Sequence, residues 1–153
     1  MCGIVGIASQ SNCIPGIING LKSLEYRGYD SAGIATINSD IFSQIRSLGK
    51  IKNLDYQISK QKISNNIAIG HTRWATHGKP FLKNTHPFIK ENCALVHNGI
   101  IENYEDLIKF YSIDIKNLES ETDSEVIAEI FNQLLQQLND PIETIKTLLK
   151  NIE

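Results

Sequence analysis

Cys2 stands directly behind the initiator methionine and opens the run Cys2-Gly3-Ile4-Val5-Gly6. Removal of Met1 is expected because Cys is small, and it makes Cys2 the N-terminal residue. One residue then carries a nucleophile and a base: the thiol attacks and the free α-amine takes the proton. The amine titrates near pKa ~7.7–8.0 and a thiol near ~8.5, so both lie within reach of neutral pH. Taken alone, a cysteine at position 2 is weak evidence, since most would be bystanders and the plain reading is a small residue starting a buried strand.

Four further blocks concentrate chemistry-bearing residues: Glu25 to Gly33 (EYRGYDSAG), His71 to Gly78 (HTRWATHG), His97 to Asn103 (HNGIIEN) and Ser120 to Asp123 (SETD). Each has a structural reading. Asn98-Gly99 is a turn signal. Arg73 reads as a surface cation, and an acid such as Asp123 suits the first turn of a helix on dipole grounds alone. The three cysteines, Cys2, Cys13 and Cys93, are odd in number and widely spaced, which argues against a disulfide framework. The four histidines, His71, His77, His86 and His97, match no zinc spacing, so no metal site is expected.

These blocks need a scaffold. A chain of 153 residues suits one domain, expected to span 1–153, with 41% hydrophobic residues and a net charge of −2. That balance gives no reason to expect nucleic acid or a membrane surface as partner. No apolar run approaches a membrane span, the start lacks signal-peptide features, and a cytoplasmic location is the expectation. Gly3–Ser9 reads as a buried strand. Ile14, Ile17, Ile18, Leu21 and Leu24 recur at helical spacing, with Pro15 in the first turn and Gly28 near the stop. Gly33–Asn38 and Phe42–Leu48 form a hairpin around Ser39-Asp40. Lys50–Asn66 is weakly helical, Ile67–Arg73 and Cys93–His97 are strands, and a loop runs from Lys79 to Pro87. A short helix surrounds Leu107. A clear amphipathic stripe runs from Val126 to Leu138, with capping-box spacing at Thr122 and Glu125. Asp140-Pro141 opens a last helix through Ile145, Leu148 and Leu149. The class is α+β with mostly antiparallel pairing.

Together the five blocks resemble the glutaminase domain of the glutamine–fructose-6-phosphate aminotransferases, class II glutamine amidotransferases of the N-terminal-nucleophile family. The opening Cys-Gly-Ile-Val-Gly is shared across several class II amidotransferases. The Arg27–Gly33 and His71–Gly78 blocks favour the aminotransferase over the phosphoribosyl-pyrophosphate type. The resemblance implies an αββα sandwich of antiparallel sheets and hydrolysis of L-glutamine to glutamate and ammonia through a γ-glutamyl thioester on Cys2, with no cofactor. It implies that the Cys2 α-amine is the general base, and that the Asn98 side chain and the Gly99 N–H stabilise the oxyanion. It gives Arg73 the α-carboxylate of glutamine, where a forked guanidinium suits a carboxylate. Asp123 takes the α-ammonium, and Trp74, Thr76 and His77 line the pocket. The α-amine already fills the base role that His77 would otherwise take. Arg27 either favours the thiolate or pairs locally with Glu25 or Asp30. His86 lies in a loop that resembles the family's mobile flap, or is an exposed loop histidine.

The family's complete enzymes are longer and dimeric, with sugar-isomerase domains that bind fructose 6-phosphate and use the ammonia to make glucosamine 6-phosphate. The resemblance also leads one to expect that the glutaminase domain's C-terminal strands are missing here. On that view the chain is marginally folded alone. The competing expectations are an inactive fragment and another class II amidotransferase.

Overall fold

The computed structural model describes residues 2–74 and 81–153. The chain forms two compact units. One comprises residues 1–87 with 95–98, the other 88–94 with 99–153.

The first unit is built on a four-stranded antiparallel sheet. Its strands are β1 (Gly3–Ala8), β2 (Ser31–Asn38), β3 (Ile41–Leu48) and β4 (Ile67–Arg73), in the order β1-β4-β2-β3. The expected hairpin is present. Its two-residue turn, Ser39-Asp40, has φ of 48° and 64°, the left-handed pair that matches the twist of the flanking strands. Two helices, α1 (Ile14–Leu24) and α2 (Ile51–Gln61), supply the hydrophobic cover. Ile14, Ile17, Ile18 and Leu21 of α1 join Ile51, Leu54 and Ile58 of α2 over Ala32, Ile34, Ile45 and Ala68. Helix α1 lies unusually close to the sheet. A methyl group at Gly16 would sit 2.9 Å from Ile7 Cδ1, one at Gly20 3.0 Å from Val5, and one at Gly70 2.9 Å from Leu21 Cδ1.

Strand β1 departs from the expected buried strand. Its residues alternate in exposure, and Ile4 is 43% exposed. Only Val5 and Ile7 turn towards the helices, because a strand presents successive side chains to opposite faces. On that opposite face, residues 82–87 are strapped to β2 and β3. The Arg46 guanidinium donates to the Lys83 and Thr85 carbonyls, both at 3.4 Å, and Gln44 Nε2 donates to the Pro87 carbonyl. Gly33 makes room: a Cβ there would lie 2.3 Å from the His86 carbonyl oxygen.

The second unit contains the short strands β5 (Phe88–Ile89) and β6 (Ala94–Leu95, whose second residue counts with the first unit), and the helices α3 (Tyr104–Phe110), α4 (Asp123–Leu138) and α5 (Pro141–Leu149). Strand β6 is shorter than the expected Cys93–His97. Thr122 caps α4 by accepting from the Glu125 N–H, but only half of the capping box forms. The Thr122 N–H donates to Ser120 Oγ, and the Glu125 carboxylate turns elsewhere. Asp140 caps α5 by accepting from the N–H groups of Ile142 and Glu143. Helix α5, present where expected, buries Thr144 and Leu148 but leaves Ile145 and Leu149 exposed. Residues 144 and 148 lie four apart on one line, and each exposed neighbour is rotated ~100° from it. No helix among the described residues is long and apolar enough to cross a membrane.

Candidate functional site

In the first unit, Cys2 leads directly into the edge strand β1 and is half-buried. Two contacts fix its backbone. The N–H of Gly3 donates to Thr72 Oγ1 at 3.1 Å, and the Asn98 side-chain amide donates to the Cys2 carbonyl at 3.3 Å. An Asn amide carries two N–H bonds, so one remains available next to Cys2.

Arg73 closes strand β4, and Trp74 follows it. Their backbone is gripped by the turn after α1. The Asp30 N–H donates to the Arg73 carbonyl at 3.1 Å, and a Cβ at Gly28 would collide with Arg73 C and O at 2.7 and 2.8 Å. The Tyr29 and Trp74 rings meet edge-on with centroids 5.0 Å apart. Arg73 Nη1 is buried and has no hydrogen-bond acceptor among the described residues. A buried guanidinium donor without a partner is costly, and an anionic ligand is the group that satisfies it. Arg27 is half-buried at the end of the turn Glu25–Arg27. The Glu25 carboxylate accepts from the Ile51 N–H at 2.7 Å and so holds the start of α2.

His86 is not the exposed loop histidine of one expectation for it. It is 5% exposed and stacked on the fully buried His71, with centroids 4.3 Å apart. Burial pushes the His86 pKa down to about 2, helped by the nearby His71, His97 and Arg73. Burial also pushes His71 down to about 4, against a raising hydrogen bond with the His97 backbone. Both rings are therefore neutral at pH 7. Sequence reasoning missed this pair because residues 15 apart in a strand and a loop leave no periodic signal.

In the second unit, Gly99 is exposed and Asp123 occupies the first turn of α4. Asp123 Oδ2 accepts from the Ile101 N–H at 2.8 Å, and Oδ1 from the Ser124 N–H at 2.7 Å. The carboxylate thus anchors both the helix start and the backbone two residues beyond Gly99. Glu125, which the sequence marks only by its capping-box spacing, is 3% exposed. It accepts from the Glu119 N–H at 3.1 Å, the Ser120 N–H at 2.5 Å and Lys90 Nζ at 3.0 Å. Burial opposes its charge, but the Ser120 hydroxyl, the Ser120 and Glu119 N–H groups and Lys90 together outweigh burial and hold its pKa below the usual carboxylate value. Thr76 and His77, also expected at the site, lie outside the described residues.

The family model for class II glutamine amidotransferases matches residues 52–152. Among curated relatives, the glutamine–fructose-6-phosphate aminotransferase (isomerizing) of Brucella suis biovar 1 is 41% identical over all 153 residues. Those of Bartonella henselae and Chlamydia abortus are each 44% identical, again over the whole chain. The chain spans about a quarter of the length of these relatives: 25% of the first two and 26% of the third. Among solved structures, the glutamine phosphoribosylpyrophosphate amidotransferase of B. subtilis, complexed with ADP and GMP, superposes with a TM-score of 0.81. It shares 25% identity, and the match covers all of this chain and 33% of that one. An allosteric regulatory enzyme of purine biosynthesis superposes at 0.82 with 26% identity and the same coverage.

Proposed function

The chain belongs to the class II glutamine amidotransferases, and from that premise we propose that it hydrolyses L-glutamine to glutamate and ammonia, with Cys2 as nucleophile. The observation that carries this reading is the half-buried Cys2 with the Asn98 amide held against its backbone. In the proposed reaction the Cys2 sulfur attacks the side-chain amide carbon of glutamine. The thiol proton passes to the freed α-amine and on to the departing nitrogen, which leaves as ammonia. Water then cleaves the thioester and releases glutamate. The remaining Asn98 N–H and the Gly99 N–H would stabilise the oxyanion, each such donor typically worth ~10²–10³ in rate.

The orphaned Arg73 Nη1 supports a role in binding the substrate carboxylate. Asp123 is proposed to take the ammonium, with Trp74, Thr76 and His77 around the ligand. Arg27 would lend positive charge nearby, and His86 would act as buried support. The relatives' names carry the proposal one step further. In a longer protein that contains this domain, the ammonia is passed to fructose 6-phosphate to give glucosamine 6-phosphate. The identities of 41–44% favour that acceptor over the phosphoribosylpyrophosphate of the structural neighbour, which shares 25%.

The test is glutamate release from L-glutamine by the purified chain, with intact mass confirming removal of Met1. Activity is expected, and Cys2→Ala is expected to abolish it. Undiminished activity in that variant would sink the mechanism.

A further inference from the structure

Resting on the reading of Asp123 as the ammonium partner, we propose that Glu125 is a positioning residue that sets the geometry of Asp123 and, through it, of the backbone beyond Gly99. Glu125 makes no contact with the proposed substrate. Its carboxylate is the hub around which residues 119–123 are folded.

The bonds run in one continuous path. The Glu119 and Ser120 N–H groups both point at the Glu125 carboxylate, at 3.1 and 2.5 Å. That closes the turn just before α4. Ser120 Oγ then accepts from the Thr122 N–H at 3.2 Å and meets Thr122 Oγ1 at 2.9 Å. Asp123 follows, and its Oδ2 takes the Ile101 N–H at 2.8 Å. On its other side Glu125 is held by Lys90 Nζ at 3.0 Å, and Lys90 also reaches Glu129 at 3.4 Å. Helix α4 therefore carries a buried anion whose acceptor capacity is spent on organising the turn before Asp123, not on the helix's own capping box. A carboxylate that serves several donors at once has no neutral replacement. Glutamine keeps the shape but turns an N–H toward at least one of those donors. The start of α4 then shifts, and Asp123 shifts with it.

The experiment compares L-glutamine with glutaramate, the same side-chain amide without the α-ammonium, as substrates for the wild-type chain, Glu125→Gln, Asp123→Asn and Cys2→Ala. Displacing a charge-assisted contact predicts a KM for L-glutamine raised about tenfold in Glu125→Gln. The KM for glutaramate should be unchanged, as in Asp123→Asn. A merely structural role would lower kcat for both substrates together, and that result overturns the proposal. If Glu125→Gln does not fold by circular dichroism, Ser120→Ala decides. It removes the hydroxyl that links the Glu125 carboxylate to Thr122 and keeps the backbone N–H bonds, and a KM rise confined to L-glutamine supports the path while none overturns it. The underlying reading fails separately. Asp123→Asn that leaves the L-glutamine KM unchanged, or Cys2→Ala that stays active, removes the premise whatever Glu125 does.

Discussion

The chain's three thiols are distinguished by their surroundings. Cys13 and Cys93 are 4% and 8% exposed, and burial raises the pKa of both, Cys93 to about 11. Cys2 is only half-buried. A thiolate is the reactive form, so the two core thiols are shielded both by access and by protonation. With an aromatic disulfide reagent at pH 7.5, one thiol per native chain should react quickly and the other two only after unfolding. Three fast thiols would show that the helices do not seal Cys13 and Cys93. At this scale the sequence shows residue types and their clustering, not surroundings. Cys2, Asn98, Arg73 and Asp123 stood out as reactive or charged types in dense blocks. Glu125 and the His71–His86 pair did not. Their importance comes from what surrounds them, and one residue's identity carries no trace of its neighbours in space.

At the level of elements, the strand that ends in Arg73 and the hairpin were readable from alternation and turn chemistry, because local preference and tertiary need agree there. The capping box at Thr122 and Glu125 was readable only in half. Its spacing was right, but the buried Glu125 had stronger donors in Lys90, Glu119 and Ser120 than the Thr122 N–H. The strap over β2 and β3 had no local signature at all, since Gln44 and Arg46 receive it from 43 and 37 residues away in sequence and Gly33 meets the still more distant His86. It gives a sharp test. Gly33→Ala places a methyl group against two carbonyl oxygens, of His86 at 2.3 Å and Ile45 at 3.0 Å. Overpacking of this kind typically costs ~1–3 kcal/mol, read as a lower denaturant midpoint. Gly6→Ala, whose nearest neighbour is Ile69 at 3.8 Å, is the matched control and should shift the midpoint little.

For the molecule as a whole, stability should be tied to pH through His71 and His86. Both are depressed in the folded state, from 6.5 to about 4 and about 2, chiefly by burial. Below pH 6.5 the unfolded chain binds protons that the folded chain refuses, so stability falls as pH falls. For each histidine the loss is about 1.4 kcal/mol per pH unit, continuing until the folded pKa is reached. Urea titrations between pH 7 and pH 5 should show the decline, and His86→Leu should roughly halve its slope. A flat profile would mean that the imidazoles are not held neutral. The α+β class was legible at this scale, but the division into two units was not, because the chain crosses between them at 87, 94 and 98 without any linker-like composition. The close seating of α1 has a further consequence, an evolutionary one. Gly16 faces Ile7, Gly20 faces Val5 and Gly70 faces Leu21 with no spare volume. Descendants can enlarge one member of a pair only after the other has shrunk. Across homologous lineages these positions should therefore change in couples, and a glycine lost singly should mark a gene on its way to decay.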